Sequence, residues 1–123
     1  MTTPIRLGSV SLDCPDASAL ARFYATLLGA AGAYDSEGFA ALHLDGTWPS
    51  MQKVEDYRPP TWPEPEVPQQ AHLDFAVADL QAAEEAALDA GATTAATQPA
   101  PDRWRVLFDP AGPPFCLTTQ IRG

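Results

Sequence analysis

Between residues 9 and 14 the chain reads SVSLDC, with Val10 and Leu12 alternating against Ser9, Ser11 and Asp13. A period of two with one apolar face predicts a half-buried strand. Pro15 breaks it and Asp16 stands where a helix N-cap is needed. Leu20, Phe23, Tyr24, Leu27 and Leu28 then recur at helical spacing until Gly29 stops the pattern. Two short alternating segments follow, FAALHLD at 39–45 and SMQKVE at 50–55, with the turn residues Gly46 and Pro49 between them. GAYDS at 32–36 offers a further strand. The order then begins again. HLDFAV at 72–77 is a strand, and Asp79 caps a helix through LQAAEEAALDA that ends at Gly91. WRVLFD and FCLTTQ are strands around the turn PAGPP.

The two halves keep a nearly constant offset. Asp79 follows Asp16 by 63 residues, Gly91 follows Gly29 by 62, and Asp109 follows Asp45 by 64. Hydrophobic positions correspond as well: Val10 with Leu73, Leu12 with Phe75, Leu42 with Val106, and Met51 with Phe115. This is the mark of a duplication, with too few copies for a solenoid. The fold class it predicts is α+β. Two tandem βαβββ modules, residues about 5–56 and about 71–121, form one pseudo-symmetric domain over 1–123. The intervening stretch, about 57–70, carries five prolines within 59–68. It reads as an extended linker between modules rather than a polyproline recognition peptide.

Charge narrows the partners. Sixteen acidic residues against seven basic give a formal net charge of -9. That balance repels phosphate backbones and anionic lipid, so neither nucleic acid nor membrane is expected, and a cationic small molecule is favoured over an anionic one. No apolar run approaches the ~20 residues of a membrane span. MTTPIRLGSV lacks the basic head and apolar core of a signal peptide. Two cysteines are too few for a disulfide framework, so a reducing cytoplasm is the expected compartment.

Strand alternation sorts the side chains into two faces. The faces carrying Val10 and Leu12, Leu42 and Leu44, Leu73 and Phe75, Val106 and Phe108, and Phe115 and Leu117 should lie under the helices. In the first half the opposite faces carry Ser9, Ser11, Asp13, Phe39, Ala41, His43, Gln52 and Val54. In the second half they carry His72, Asp74, Arg103, Arg105, Leu107, Cys116 and Thr118. Such a mixed lining suits a small-molecule pocket, although a sheet face that simply meets water is polar too. Arg105 can receive a ligand carboxylate or pair internally with Asp74 or Asp13. Trp104 shares the alternation of Val106 and Phe108 and is expected in the core. Trp48 and Trp62 lie in loop context and can reach a pocket rim.

Paired βαβββ modules in a chain of this length resemble the vicinal oxygen chelate superfamily of glyoxalase I, extradiol dioxygenases, fosfomycin-resistance enzymes and bleomycin-resistance proteins. The most specific stretches are HLDFAVADLQAAEEAALDAGA and WRVLFDPAGPPFCL. The second matches the family's DPxG turn before the last strand, and a glyoxalase-like subgroup ends similarly in G-x-P-F-C-L. The resemblance implies two curved sheets, each with a concave cup, and two chains pairing to complete the cups, so a homodimer is expected.

Metal-dependent relatives place ligands at one point on the first and last strands of each module. Carried over, those positions are Ser9, Gln52, His72 and Cys116. The family's usual sets combine two His, or His and Gln, with one or two Glu. The four residues here include no carboxylate, so no metal and no other cofactor is expected. The ligand-binding candidates are therefore Ser9, Ser11, Phe39, His43, Gln52, His72, Asp74, Arg105, Cys116 and Thr118. The expected function is metal-independent binding of a small organic molecule in the cup, after the manner of the bleomycin-resistance branch. The alternative is a glyoxalase-like lyase or isomerase, with or without zinc, in which His72 is a base and Cys116 a nucleophile.

Overall fold

The computed structural model describes residues 3–121. The chain divides into two compact units, one ending at Tyr57 and the other beginning at Arg58. The first unit contains β1 (Ser11–Cys14), α1 (Ala17–Leu28), β2 (Ala31–Asp35), β3 (Phe39–His43) and β4 (Ser50–Lys53). The second contains β5 (Asp74–Ala76), α2 (Leu80–Ala90), β6 (Thr93–Thr94), β7 (Trp104–Phe108) and β8 (Pro114–Thr118). The sheets run β1-β4-β3-β2 and β5-β8-β7-β6. In each the first strand pairs parallel with the last, and the remaining pairs are antiparallel. The βαβββ repeat is therefore present in both units. The very short β6 escaped the sequence pattern because two threonines carry no periodicity.

Capping explains where the helices begin and end. The carboxylate of Asp16 accepts from the amide of Ala19, and that of Asp79 accepts from Ala82, each at 3.1 Å. At the other end Gly29 is left-handed, with φ of 65°, and its amide returns to the carbonyl of Ala25. Helix α1 buries Leu20, Phe23 and Tyr24 against Ala40, Leu42 and Met51, which are also buried. Burial of each large side chain contributes about 1.5–3 kcal/mol. Helix α2 is alanine-rich, and of its residues only Leu80 and Ala87 are buried. Beneath it lie Leu107, Phe115 and Leu117.

The face assignment from sequence holds for β1, β3, β4 and β8 but inverts in β7. Arg105 stands opposite Leu117 and Leu107 opposite Phe115, so Arg105 and Leu107 share the helix-side face. Arg105 reaches α2, where it donates to Glu84 at 2.9 Å and to Gln81 at 3.1 Å. Trp104, Val106 and Phe108 lie on the other face, with Cys116 and Thr118. Because side chains alternate strictly, a one-residue error in phase turns the whole strand over.

The ladders also revise the correspondence between the halves. Leu12 pairs with Met51 and Phe75 with Leu117, so the counterpart of Met51 is Leu117, not Phe115. By the same ladders Leu42 corresponds to Leu107, not Val106. The offset widens beyond the helices because the second half carries extra residues before β7 and one more between β7 and β8. The proline-rich segment is part of the second unit rather than a free linker. Thr61 accepts from the amide of Val67 through its hydroxyl, and a Cβ added at Gly112 would lie 2.6 Å from Pro59 Cβ.

A candidate ligand site on the second sheet

In the second unit Asp74 lies directly beside Cys116 across the parallel β5–β8 ladder. His72 precedes Asp74 by two residues and therefore falls on the same face. Its Nε2 lies 3.2 Å from Asp74 Oδ1. The donor atoms of His72, Asp74 and Cys116 all lie within 4.8 Å of one another. Together with Trp104, Thr118 and Ile121 they line a hollow of about 230 Å³. Arg103 lies over Trp104, its guanidinium carbon 5.6 Å from the ring centroid. Thr118 is buried, and its hydroxyl accepts from the amide of Gln120 at 3.0 Å, which fixes the end of β8.

The electrostatics centre on Asp74. Burial raises the pKa of the Cys116 thiol, and the charge and hydrogen bond of the Asp74 carboxylate raise it further, to about 11. At neutral pH the group is therefore a thiol that donates toward Asp74. His72 and Asp74 are 39% and 43% exposed, so the pair stays within reach of a molecule arriving from solvent.

The first unit presents a different set at the corresponding place. Ser11 stands opposite Ser50 on the β1–β4 ladder, and their hydroxyls are 2.6 Å apart. Ser9 lies 3.4 Å from Ser50 and donates to the carbonyl of Trp48 at 2.6 Å. The counterparts of His72, Asp74 and Cys116 are thus Ser9, Ser11 and Ser50. Gln52 stands beside Asp13 instead, two residues further along the ladder. His43 and Phe39 lie on the same face as these serines. His43 stacks on Trp48 with ring centroids 4.4 Å apart, and Phe39 meets Tyr34 at 5.9 Å.

Of the sequence candidates, His72, Asp74, Cys116 and Thr118 come together in the second unit. Ser9 and Ser11 gather around Ser50 in the first. Arg105 is removed from the site, because its charge is satisfied on the helix side by Glu84. Trp104 and Ser50 were missed. The alternation that groups Trp104 with Val106 and Phe108 was visible, but its face was not. Trp62 lines a separate hollow of about 530 Å³ with Pro59, Phe108 and Asp109.

A family model, described as a glyoxalase-like domain, matches residues 9–118. The chain belongs to this glyoxalase-like family. No curated protein matches it. Among solved structures it is similar to a glyoxalase-related enzyme from Fulvimarina pelagi, with 17% identity and a TM-score of 0.69, covering 92% of this chain and 86% of that one. It is similar to the fosfomycin resistance protein of Mesorhizobium loti, with 15% identity and a TM-score of 0.67, over 98% and 94% of the two chains. A third likeness is to the bleomycin-binding protein of Streptomyces verticillus, solved with copper(II)-bleomycin, at 17% identity and a TM-score of 0.62, over 98% and 100%. At such identities the likeness establishes the glyoxalase/bleomycin-resistance fold that the family resemblance implied. Among the described residues no helix is long and apolar enough to cross a membrane.

The resemblance implies metal ligands drawn from both modules, and the first unit does not fit that role. Hydroxyls at Ser9 and Ser50 are weak donors, and a catalytic iron would need a second histidine with the carboxylate. The second unit offers a nitrogen, an oxygen and a sulfur donor, which is a set of another kind.

Proposed function

We propose that this glyoxalase-like chain binds a small organic molecule on the second sheet, in the hollow beside Trp104. One observation carries the reading: a stacking wall, a carboxylate, an imidazole and a hydroxyl converge on one concavity. The indole offers an apolar plane, and Asp74, which meets His72 and the Cys116 thiol but no Lys or Arg among the described ion pairs, supplies negative charge at its edge. This favours a ligand with a cationic or hydrogen-donating group on a flat apolar body. The formal net charge of -9 acts in the same direction. The bleomycin-binding protein among the structural neighbours lends the reading a precedent within the fold. The contacts are direct and need no resident metal. Cys116 serves as lining rather than as a nucleophile, because burial and then Asp74 hold it in the thiol form.

The proposal includes a cytoplasmic homodimer. The exposed apolar residues Ile5, Leu7 and Val10 support pairing, and a sequence with two cysteines, too few for a disulfide framework, is in keeping with a reducing compartment.

The test is a thermal-shift screen of aromatic amines and matched neutral analogues, run with chelator present. A ligand raises the unfolding midpoint by mass action. Amines should stabilise the wild-type chain, and Asp74→Asn and Trp104→Ala should each abolish the shift. Stabilisation that survives both substitutions would place the ligand elsewhere and overturn the reading.

A further inference from the structure

The cluster of His72, Asp74 and Cys116 has a second chemical capacity. Its three donors are an imidazole nitrogen, a carboxylate oxygen and a thiol sulfur, all within 4.8 Å of one another. A tetrahedral ion with bonds of about 2.0–2.3 Å needs ligand atoms roughly 3.3–3.7 Å apart. His72 Nε2 and Asp74 Oδ1 already lie 3.2 Å apart. Asp74 and Cys116 are fixed in register by the β5–β8 ladder, and the Cys116 amide donates to the carbonyl of Leu73 next to His72, so side-chain rotation is the main change needed to reach a coordination triangle. All three residues are partly exposed, which leaves a fourth direction open toward the hollow.

The donor types choose the ion. Magnesium and calcium take shells of oxygen ligands. Non-haem iron takes two histidines and a carboxylate. One nitrogen, one oxygen and one sulfur with an open fourth position suit zinc. We propose that the second unit binds one zinc ion through His72 Nε2, an Asp74 oxygen and Cys116 Sγ, with water or an added ligand in the fourth place. As the metal–sulfur bond forms, the Cys116 thiol releases its proton to solvent. The counterpart positions in the first unit are Ser9, Ser11 and Ser50, so the site is confined to one unit. It differs in this from the two-module ligand set that the family resemblance implies.

This goes beyond the binding function proposed above and shares residues with it. The two are tested apart, because that screen contains chelator and the present titration contains no organic ligand. The full chain is stripped with chelator and titrated with Zn²⁺ and, separately, Co²⁺. The expected result is one ion per chain, with a sulfur-to-cobalt charge-transfer band and the intense visible absorption of tetrahedral cobalt. Cys116→Ser should abolish the charge-transfer band. His72→Ala and Asp74→Asn should each lower affinity by more than the roughly 10–100-fold that loss of an outer partner costs. His43→Ala, which removes the other imidazole, should leave the titration unchanged. Zinc should also protect Cys116 of the unmutated chain from alkylation, which reads the site without any substitution. A cobalt spectrum without charge transfer, failure of zinc to protect the thiol, or zinc affinity in Cys116→Ser and His72→Ala equal to that of the unmutated chain would each overturn the proposal.

Discussion

Asp74 sets the behaviour of both neighbours at the residue scale. In the metal-free chain the Cys116 thiol is raised from an ordinary 9.0 to about 11, first by burial and then by Asp74. Its alkylation rate should therefore stay low through pH 9 and climb toward pH 11, and Asp74→Asn should move that climb to lower pH. Cys14 is fully buried and should react only on unfolding. The same shift bears on stability. A raised pKa means the folded chain holds the proton more tightly, so this contribution is intact below pH 9 and lost as pH rises through 11. A rate that levels off near pH 9 would show that neither burial nor Asp74 raises the thiol. His72→Ala should change unfolding stability by less than about 1 kcal/mol, since its side-chain bond to Asp74 is a half-exposed pair. Denaturant unfolding reads that difference. The sequence displayed His72, Asp74 and Cys116 on one face because alternation within a strand is a local property. It concealed Ser50, because which residue of β4 lies beside Ser11 is fixed by the β1–β4 ladder rather than by a constant offset between halves.

At the scale of elements, the misread strand is the instructive one. WRVLFD sets an all-apolar face of Trp104, Val106 and Phe108 against Arg105, Leu107 and Asp109, so hydrophobicity alone favours burying the first face under α2. The structure instead buries Leu107 there and accommodates Arg105 by pairing it with Glu84, side chains that are 22% and 17% exposed. Local pattern cannot anticipate that choice, because the deciding carboxylate sits 21 residues away on another element. It yields a separable prediction. Arg105→Ala should cost about 1.5–3 kcal/mol of stability, as expected for losing bonds to a charged group, yet leave ligand binding at the Trp104 hollow unchanged. A binding defect with normal stability would return Arg105 to the site. The helix ends were legible, because a cap is a matter of three or four adjacent residues. Asp16→Ala and Asp79→Ala should each lower stability by about 1 kcal/mol. Gly112 has φ of 107° and its missing Cβ would meet Pro59 at 2.6 Å. Gly112→Ala therefore combines backbone strain with a clash and should exceed either cap substitution in thermal unfolding.

Over the whole molecule, repetition of caps, glycine stops and strand patterns made the paired βαβββ organisation readable, because each marker occurs twice in the same order. Oligomeric state follows from a different kind of observation. The N-terminal segment ahead of β1 is extended, with Trp48 donating to the carbonyl of Gly8 and Ser50 to that of Val10. It lies beside an edge of its sheet, since β1 ends the order β1-β4-β3-β2. On it Ile5 is 92% exposed, Leu7 67% and Val10 40%, a concentration of apolar surface that a lone edge seldom leaves in water. A two-fold pairing of copies is the commonest way to cover such a surface. The chain should therefore sediment as a dimer at ~100 µM, a concentration well above micromolar dimer constants. Ile5→Lys with Leu7→Lys should yield monomers of unchanged circular dichroism, because neither side chain contributes to the core of its own unit. A wild-type monomer at that concentration would remove the homodimer. A dimer indifferent to both lysines would move its interface away from the N-terminal segment.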